Sequence, residues 1–291
     1  MSELGCTFHF DYAKVYWNSK LSSEHERLVN LFKPGEVVAD VMAGIGPFAV
    51  PAGKKGVFVW ANDKNPESYK YLEESIARNK ASRMAEATFV ITETSPVSVL
   101  PSRVLTTYLQ TSDYVRPFNA DGHDFICQAA DSVLAASQSG EHVVVKPPKV
   151  SRRADKSGPA AAQPPPPVLK YVPPTISHFV MNLPASAIEF LHNFRGLYEG
   201  KEALFAPHTE KTLLPMIHCH CFAAKLDNDE PVQEVVGRIE REIGVALRPG
   251  DGQKEGELTL VEVRDVAPNK RMFCATFRLP KEVAFAARVR S

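Results

Sequence analysis

The sequence predicts an α/β fold built on a mostly parallel, Rossmann-like sheet that finishes in an antiparallel hairpin. Three observations carry this expectation. Residues 36–80 read strand, glycine turn, helix, strand, acid, helix, which is the repeating unit of a parallel sheet. Near the C-terminus, "LTLVEVRDVAPNKRMFCATFRLP" reads as a hairpin turning at Pro268–Asn269. Of the 291 residues, 44% are apolar, enough to fill the core of one large α/β domain with appendages, or of two small domains.

Element by element, "CTFHFDYAKVYW" alternates Phe8, Phe10 and Tyr12 and predicts a strand. "SKLSSEHERLVNLF" predicts a helix, with Ser23 and Glu26 in capping-box spacing and Leu28, Leu31 and Phe32 on one face. "EVVADVM" is a buried strand, and the glycine loop after it opens a helix near Pro47. "GVFVWAND" is a second strand, and "NPESYKYLEESIARNK" a helix capped by Asn65 with Pro66 in its first position. From 81 to 117 the pattern weakens and assigns no elements. "FNADGHDFICQAADSVLA" reads as a strand end, a turn and a helix. Residues 147–174 hold nine of the 23 prolines and read as a flexible Pro/Ala-rich surface loop. "HFVMNLPASAIEFLHNF" is a strand, a loop and a helix; "MIHCHCFAA" is a strand and "PVQEVVGRIEREIG" an amphipathic helix.

Composition excludes several classes. No apolar run approaches the ~18 residues that span a bilayer, and the N-terminus lacks a signal-peptide layout. The five cysteines are scattered and form no C-x-x-C pair, which predicts reduced thiols in an intracellular protein. With 34 basic against 34 acidic residues, the surface is not wholly given to nucleic acid, although a local basic face stays open, Lys146–Lys156 being its best candidate.

The stretch "ADVMAGIGPFAVPAG" poses the functional question. Gly44, Gly46 and Ala49 fit G-x-G-x-x-G/A, with Asp63 about 20 residues on, so a dinucleotide or S-adenosylmethionine could be the ligand. Asp40, four residues before Gly44, favours S-adenosylmethionine, because a carboxylate there attracts an ammonium group and repels a pyrophosphate. Pro47 removes one N–H from the following helix, weakening an anion cradle but not a loop for a zwitterion. Asp63 offers acceptors to ribose hydroxyls in either case; the plain alternative is that both acids are strand-end caps. In "NADGHDF", Asp121 can accept from an adenine amino group while Gly122 lets the backbone approach the ring, though an Asp-Gly turn is the simpler reading. "MNLPAS" offers Asn182, Leu183 and Pro184 as a stiff loop after a strand, suited to holding a planar base with its nitrogen facing a methyl group. In "HCHC" (218–221), His and Cys alternate to opposite faces of a strand, so four ligands cannot converge on zinc.

Together, "FHFDYAKVYWNSKLSSEHERL", "DVMAGIGPFAVPA", "ANDKNPESYKYLEESIARNK", "NADGHDF" and "HFVMNLPASAIEFL" resemble the tRNA (guanine(37)-N1)-methyltransferase family of eukaryotes and archaea. The resemblance implies a class I S-adenosylmethionine-dependent methyltransferase and methyl transfer to N1 of the guanine 3′ of the anticodon. It implies a general base at Glu24, eight residues after Tyr16, whose loss of the N1 proton frees the lone pair for the methyl group. The bottom-up alternative is an acid in a helix's first turn. Tyr16, Glu24, Asn182 and Pro184 form the implied catalytic set. The implied cofactor set is His25, Asp40, Ala43, Gly44, Gly46, Asp63, Lys64, Asp121, Gly122 and Asn182, with no metal. Residues 1–20 are expected to be the remnant of an upstream β-containing domain, and 21–291 the catalytic domain, with insertions at 81–115 and 150–172. Lys20 stands where the family commonly has Arg, losing any bidentate contact, and the family's catalytic Arg would precede residue 1, so the chain reads as N-terminally truncated. The implied partner is the tRNA anticodon loop, bound by a monomer without a membrane segment, in the cytoplasm and, by resemblance, the mitochondrial matrix and nucleus. Two alternatives stay open: an aminocarboxypropyl transferase of the related wybutosine branch, and a binding fragment without turnover.

Overall fold

A computed structural model describes residues 1–79, 114–145, 166–205, 213–225 and 230–288. Strands β1 (Ser2–Glu3) and β2 (Cys6–Thr7) form a small antiparallel pair. The strand expected over 6–17 stops there. The side chain of Asp11 accepts the Ala13 N–H at 2.9 Å and its carbonyl the Lys14 N–H at 3.0 Å, turning the chain. Phe8 and Phe10 then gather on Trp17, with ring centroids 5.4 and 5.3 Å away. The alternation served an aromatic cluster rather than a sheet.

Helix α1 (Ser22–Leu31) follows directly on a 3-10 turn over Ser19–Leu21. Asn18 caps that turn, accepting the Lys20 N–H at 3.1 Å, so the Ser23–Glu26 capping box is not needed and Leu21 precedes the helix without a side-chain cap. The buried face carries Glu24, His25, Leu28 and Val29, with Phe32 just beyond; Leu31, expected on it, is 44% exposed because it lies off that stripe.

Strand β3 (Val37–Asp40) is buried at every residue, as a central parallel strand must be. Helix α2 (Ala49–Lys54), strand β4 (Phe58–Asn62) and helix α3 (Pro66–Asn79) follow as expected. Asn65 accepts the Glu67 N–H at 3.0 Å to cap α3. Next come β5 (Val115–Phe118) and α4 (Gly122–Gln138), the latter capped by Asp121 through the His123 N–H at 3.0 Å. Strands β6 (His142–Val145) and β7 (Val168–Tyr171) pair antiparallel in a separate ribbon. Tyr114 and Val115, at the end of the stretch to which no elements were assigned, belong to the core, and 168–171, expected as loop, is a strand. Residues 81–113, 150–165 and the basic stretch Lys146–Lys156 lie outside the described residues.

Strand β8 (His178–Met181), a 3-10 segment over Ala187–Phe194 where a helix was expected, β9 (Met216–Ala224) and helix α5 (Glu230–Ile243) come next. The chain then makes β10 (Arg248–Pro249), β11 (Glu257–Ala267), β12 (Lys270–Arg278) and α6 (Lys281–Ala284). The main sheet runs β10-β11-β12-β9-β8-β3-β4-β5. From β9 to β5 neighbours are parallel; β12 lies antiparallel between β9 and β11. Pro268–Asn269 turns that hairpin. One face packs on α1, α2 and α3 through Leu28, Val50 and Leu72, the other on α4 and α5 through Phe125, Ala129 and Val235. Strand order reverses at β3, so the carboxyl ends of β3, β4, β5 and β8 open one crevice at the topological switch point. Among the described residues no helix is long and apolar enough to cross a membrane.

Candidate active site at the switch point

The glycine loop is held from behind. Ala43 donates to the Asn62 carbonyl at 2.6 Å and Gly46 to the Ala43 carbonyl at 2.8 Å. Gly44 and Gly46 have φ of 56° and 96°, in the left-handed region that favours glycine. Their surroundings differ. A Cβ on Gly46 would lie 2.7 Å from Val50 and 2.8 Å from Leu72, so this glycine serves packing. A Cβ on Gly44 would meet nothing within 4 Å, so that side of the loop is open. Asp63 accepts the Gly44 N–H at 2.8 Å with one oxygen and the Asn65 N–H at 2.9 Å with the other. Asn62, fully buried, donates to the carbonyls of Val41 and Ala120 and accepts the Ala120 N–H, stitching three strand ends together.

Among the described residues, two side chains here, Asp40 and Asn182, carry buried acceptors without partners. Asp40 is completely buried and neither carboxyl oxygen has a hydrogen bond. Burial, reinforced by the charge of Asp63, pushes its pKa up to about 8, so it keeps its proton at neutral pH. Asp40 pairs in register with Val180, and two residues past Val180 the Oδ1 of Asn182 is also buried and partnerless. Native proteins rarely leave such groups unpaired, because each costs ~1–3 kcal/mol. At the next strand end, Lys64 donates to Asp121 at 2.7 Å, holding its pKa low, while a Cβ on Gly122 would press on Phe190 at 3.0 Å.

Beneath the crevice lies an ion cluster. Arg27 donates to both oxygens of Glu24, at 2.6 and 2.8 Å, and His220 Nε2 lies 2.8 Å from Glu24 Oε1. Burial opposes the charge on Glu24, but these two partners overcome it and hold its pKa at about 2. Burial likewise opposes charge on His220, and Cys274 with Glu24 raises it to about 10. The ligating atoms of Glu24, His220 and Cys274 lie within 4.8 Å of one another, yet both carboxylate oxygens are already taken by the guanidinium.

Residues 1–132 match the TRM5/TYW2 methyltransferase domain. This stretch belongs to that domain family. Among relatives, a tRNA (guanine(37)-N(1))-methyltransferase of Fusarium vanettenii is 60% identical over 288 residues, covering 99% of this chain and 54% of that protein. One of Neurospora crassa is 52% identical over 291 residues, covering 99% and 53%. The chain thus spans about half the length of these relatives. A crystal structure of Trm5b from Pyrococcus abyssi, 21% identical, shares the fold with a TM-score of 0.51 over 96% of this chain and 55% of that one.

The matched TRM5/TYW2 stretch contains Glu24, Asp40, Ala43, Gly44, Gly46, Asp63, Lys64, Asp121 and Gly122; Asn182 and Pro184 lie in the loop after β8, outside it. Three expected site residues are not brought into the crevice: Glu24 is held in the buried cluster beneath it. Tyr16 is 76% exposed, its hydroxyl accepting from Asn18 at 3.3 Å. His25 is buried but turned onto Glu3 at 2.5 Å and edge-on to Phe48. Three residues were missed. Arg27 sits at i+3 from Glu24, a spacing that could have flagged it. Asn62 is a polar residue ending an apolar run. His220 carries no local signal pointing to Glu24, although the alternation of "HCHC" held, with Cys219 and Cys221 in the opposite core.

Proposed function

We propose that this chain binds S-adenosylmethionine in the crevice and transfers its methyl group to N1 of guanine 37 in the tRNA anticodon loop. One observation carries the cofactor reading: a buried, unpartnered carboxyl at Asp40, four residues before the open Gly44 turn. A site that leaves a carboxyl unpaired at such cost suits a ligand bringing a cation, here an ammonium group. The remaining lone pairs of Asp63 suit ribose hydroxyls, and Asp121 with Gly122 suits the adenine edge. His25, Ala43 and Lys64 border this pocket in the proposal, with His25 needing to leave Glu3 to reach a carboxylate. Bound there, the cofactor supplies an electrophilic methyl group. The 60% identity to a tRNA (guanine(37)-N(1))-methyltransferase supports the acceptor.

The chain's own residues have three tasks. Asn182 offers its unpaired Oδ1 to a guanine N–H. Pro184 stiffens the loop, and its carbonyl accepts the Phe222 N–H at 3.1 Å. Glu24, ionised at every working pH, accepts the N1 proton; because both oxygens are engaged, one Arg27 contact must open first. Tyr16, at the surface, faces the tRNA. The test is mass spectrometry of tRNA incubated with this chain and S-adenosylmethionine. A methyl addition at guanine 37 supports the reading, whereas a larger aminocarboxypropyl addition or no addition refutes it. Glu24→Gln should slow single-turnover transfer by ~10²–10⁴ with cofactor affinity unchanged; a wild-type rate would end its role as base.

A further inference from the structure

His220 is wholly buried on β9, directly below both parts of the proposed catalytic apparatus. Its Nε2 meets Glu24 Oε1 at 2.8 Å, and its Nδ1 faces the Met181 carbonyl at 3.4 Å, one residue before Asn182. Both partners there are acceptors. Arg27 already donates to each oxygen of Glu24, so the carboxyl is ionised and the shared proton belongs to the imidazole. Only an imidazolium, with a donor on each nitrogen, satisfies the two contacts at once.

We propose that His220 is a positioning residue: a buried imidazolium strut that fixes the Glu24 carboxylate relative to the Asn182–Pro184 loop. The inference rests on the methyl-transfer reading above, in which Glu24 and Asn182 act on the same guanine. Strand β9 holds the loop from both ends, through His220 to Met181 at the end of β8 just before it and through the Phe222 N–H to the Pro184 carbonyl at 3.1 Å. The same strand therefore sets both the base and the base-holding loop. The charged and titratable groups facing His220 are Glu24 and Arg27 from α1, Cys274 from β12, His218 on its own strand and Asp40 from β3. His218 is not a competing cation: burial first, then the neighbouring His178, hold its pKa well below the ordinary value.

A positioning role differs from a packing role in its pH signature. Without the imidazolium, Glu24 loses one of the two partners that hold it at about 2, and its protonation moves up towards the ordinary 4.5. Single-turnover methyl transfer by this chain is measured from pH 4 to 8 for wild type, His220→Phe, His220→Gln and Glu24→Gln. His220→Phe is expected to lower the rate on the order of 10–100-fold with cofactor affinity unchanged, as misplacement does. Its acid limb should shift upward, and His220→Gln, which keeps one neutral donor towards Glu24, should recover part of the rate but not the pH profile. A His220→Phe enzyme with wild-type rate and profile, alongside a slow Glu24→Gln, overturns this proposal alone. A fast Glu24→Gln overturns the reading beneath it. Independently of turnover and of variant folding, the ¹⁵N spectrum of the wild-type imidazole at pH 8 should show both His220 nitrogens protonated. A neutral tautomer there overturns the strut.

Discussion

Replacing Asp40 with Asn should make the ligand-free protein more stable while weakening its hold on the cofactor. In the folded chain the carboxyl keeps its proton up to about pH 8, whereas in the unfolded chain it ionises at its ordinary 3.8. A raised carboxyl favours the unfolded state as pH climbs from 3.8 towards 8. At pH 7, and at about 1.4 kcal/mol per pH unit, the gap from 3.8 amounts to about 4 kcal/mol. Asn matches the neutral carboxyl in size and loses nothing by ionisation of the unfolded chain, so it escapes this cost. Both side chains bury unpaired polar atoms, so that penalty largely cancels. Urea unfolding at pH 4, 5.5, 7 and 8 reads the effect directly. The variant should match wild type near pH 4, and its advantage should grow with pH to between about 2 and 4 kcal/mol at neutrality. Addition of S-adenosylmethionine should then stabilise wild type far more than the variant, reversing part of the difference. A variant no more stable than wild type at pH 7, or a difference independent of pH, would refute the reasoning about Asp40.

The same carboxyl couples binding to protons: pairing it with an ammonium group releases its proton, so affinity should rise with pH until about 8 and then level. Calorimetry in buffers of different ionisation enthalpy should detect that release near pH 7, and a buffer-independent heat would contradict it. The two loop glycines should separate stability from binding. Gly46→Ala meets Val50 and Leu72 below 3 Å at a φ of 96° and should cost about 2–3 kcal/mol in thermal unfolding. Gly44→Ala, with open space and a φ of 56°, should cost only about 1 kcal/mol yet impair cofactor binding. Equal destabilisation by the two would mean that the loop is not open at Gly44.

What the sequence determined by itself was local. The strand–glycine–helix unit around Asp40 and Asp63, the Asn65–Pro66 helix start and the hairpin at Pro268–Asn269 all follow from spacing within a few residues, and each formed as read. Where local patterns competed, tertiary contacts chose. Phe8 and Phe10 closed on Trp17 instead of pairing in a strand, and Asn18 took the capping role expected of Ser23. The state of the site was decided only by the folded chain. Asp63 and Gly44 are 19 residues apart and could be paired from the motif, but Glu24 and His220 are 196 apart and meet only because β9 crosses beneath α1. Periodicity tells which face of an element is buried, and not which distant residue it is buried against. Whether Glu24 is a free helix-start acid or a carboxylate fixed by two cations depends on that distant partner, because burial and charge act through space rather than along the chain.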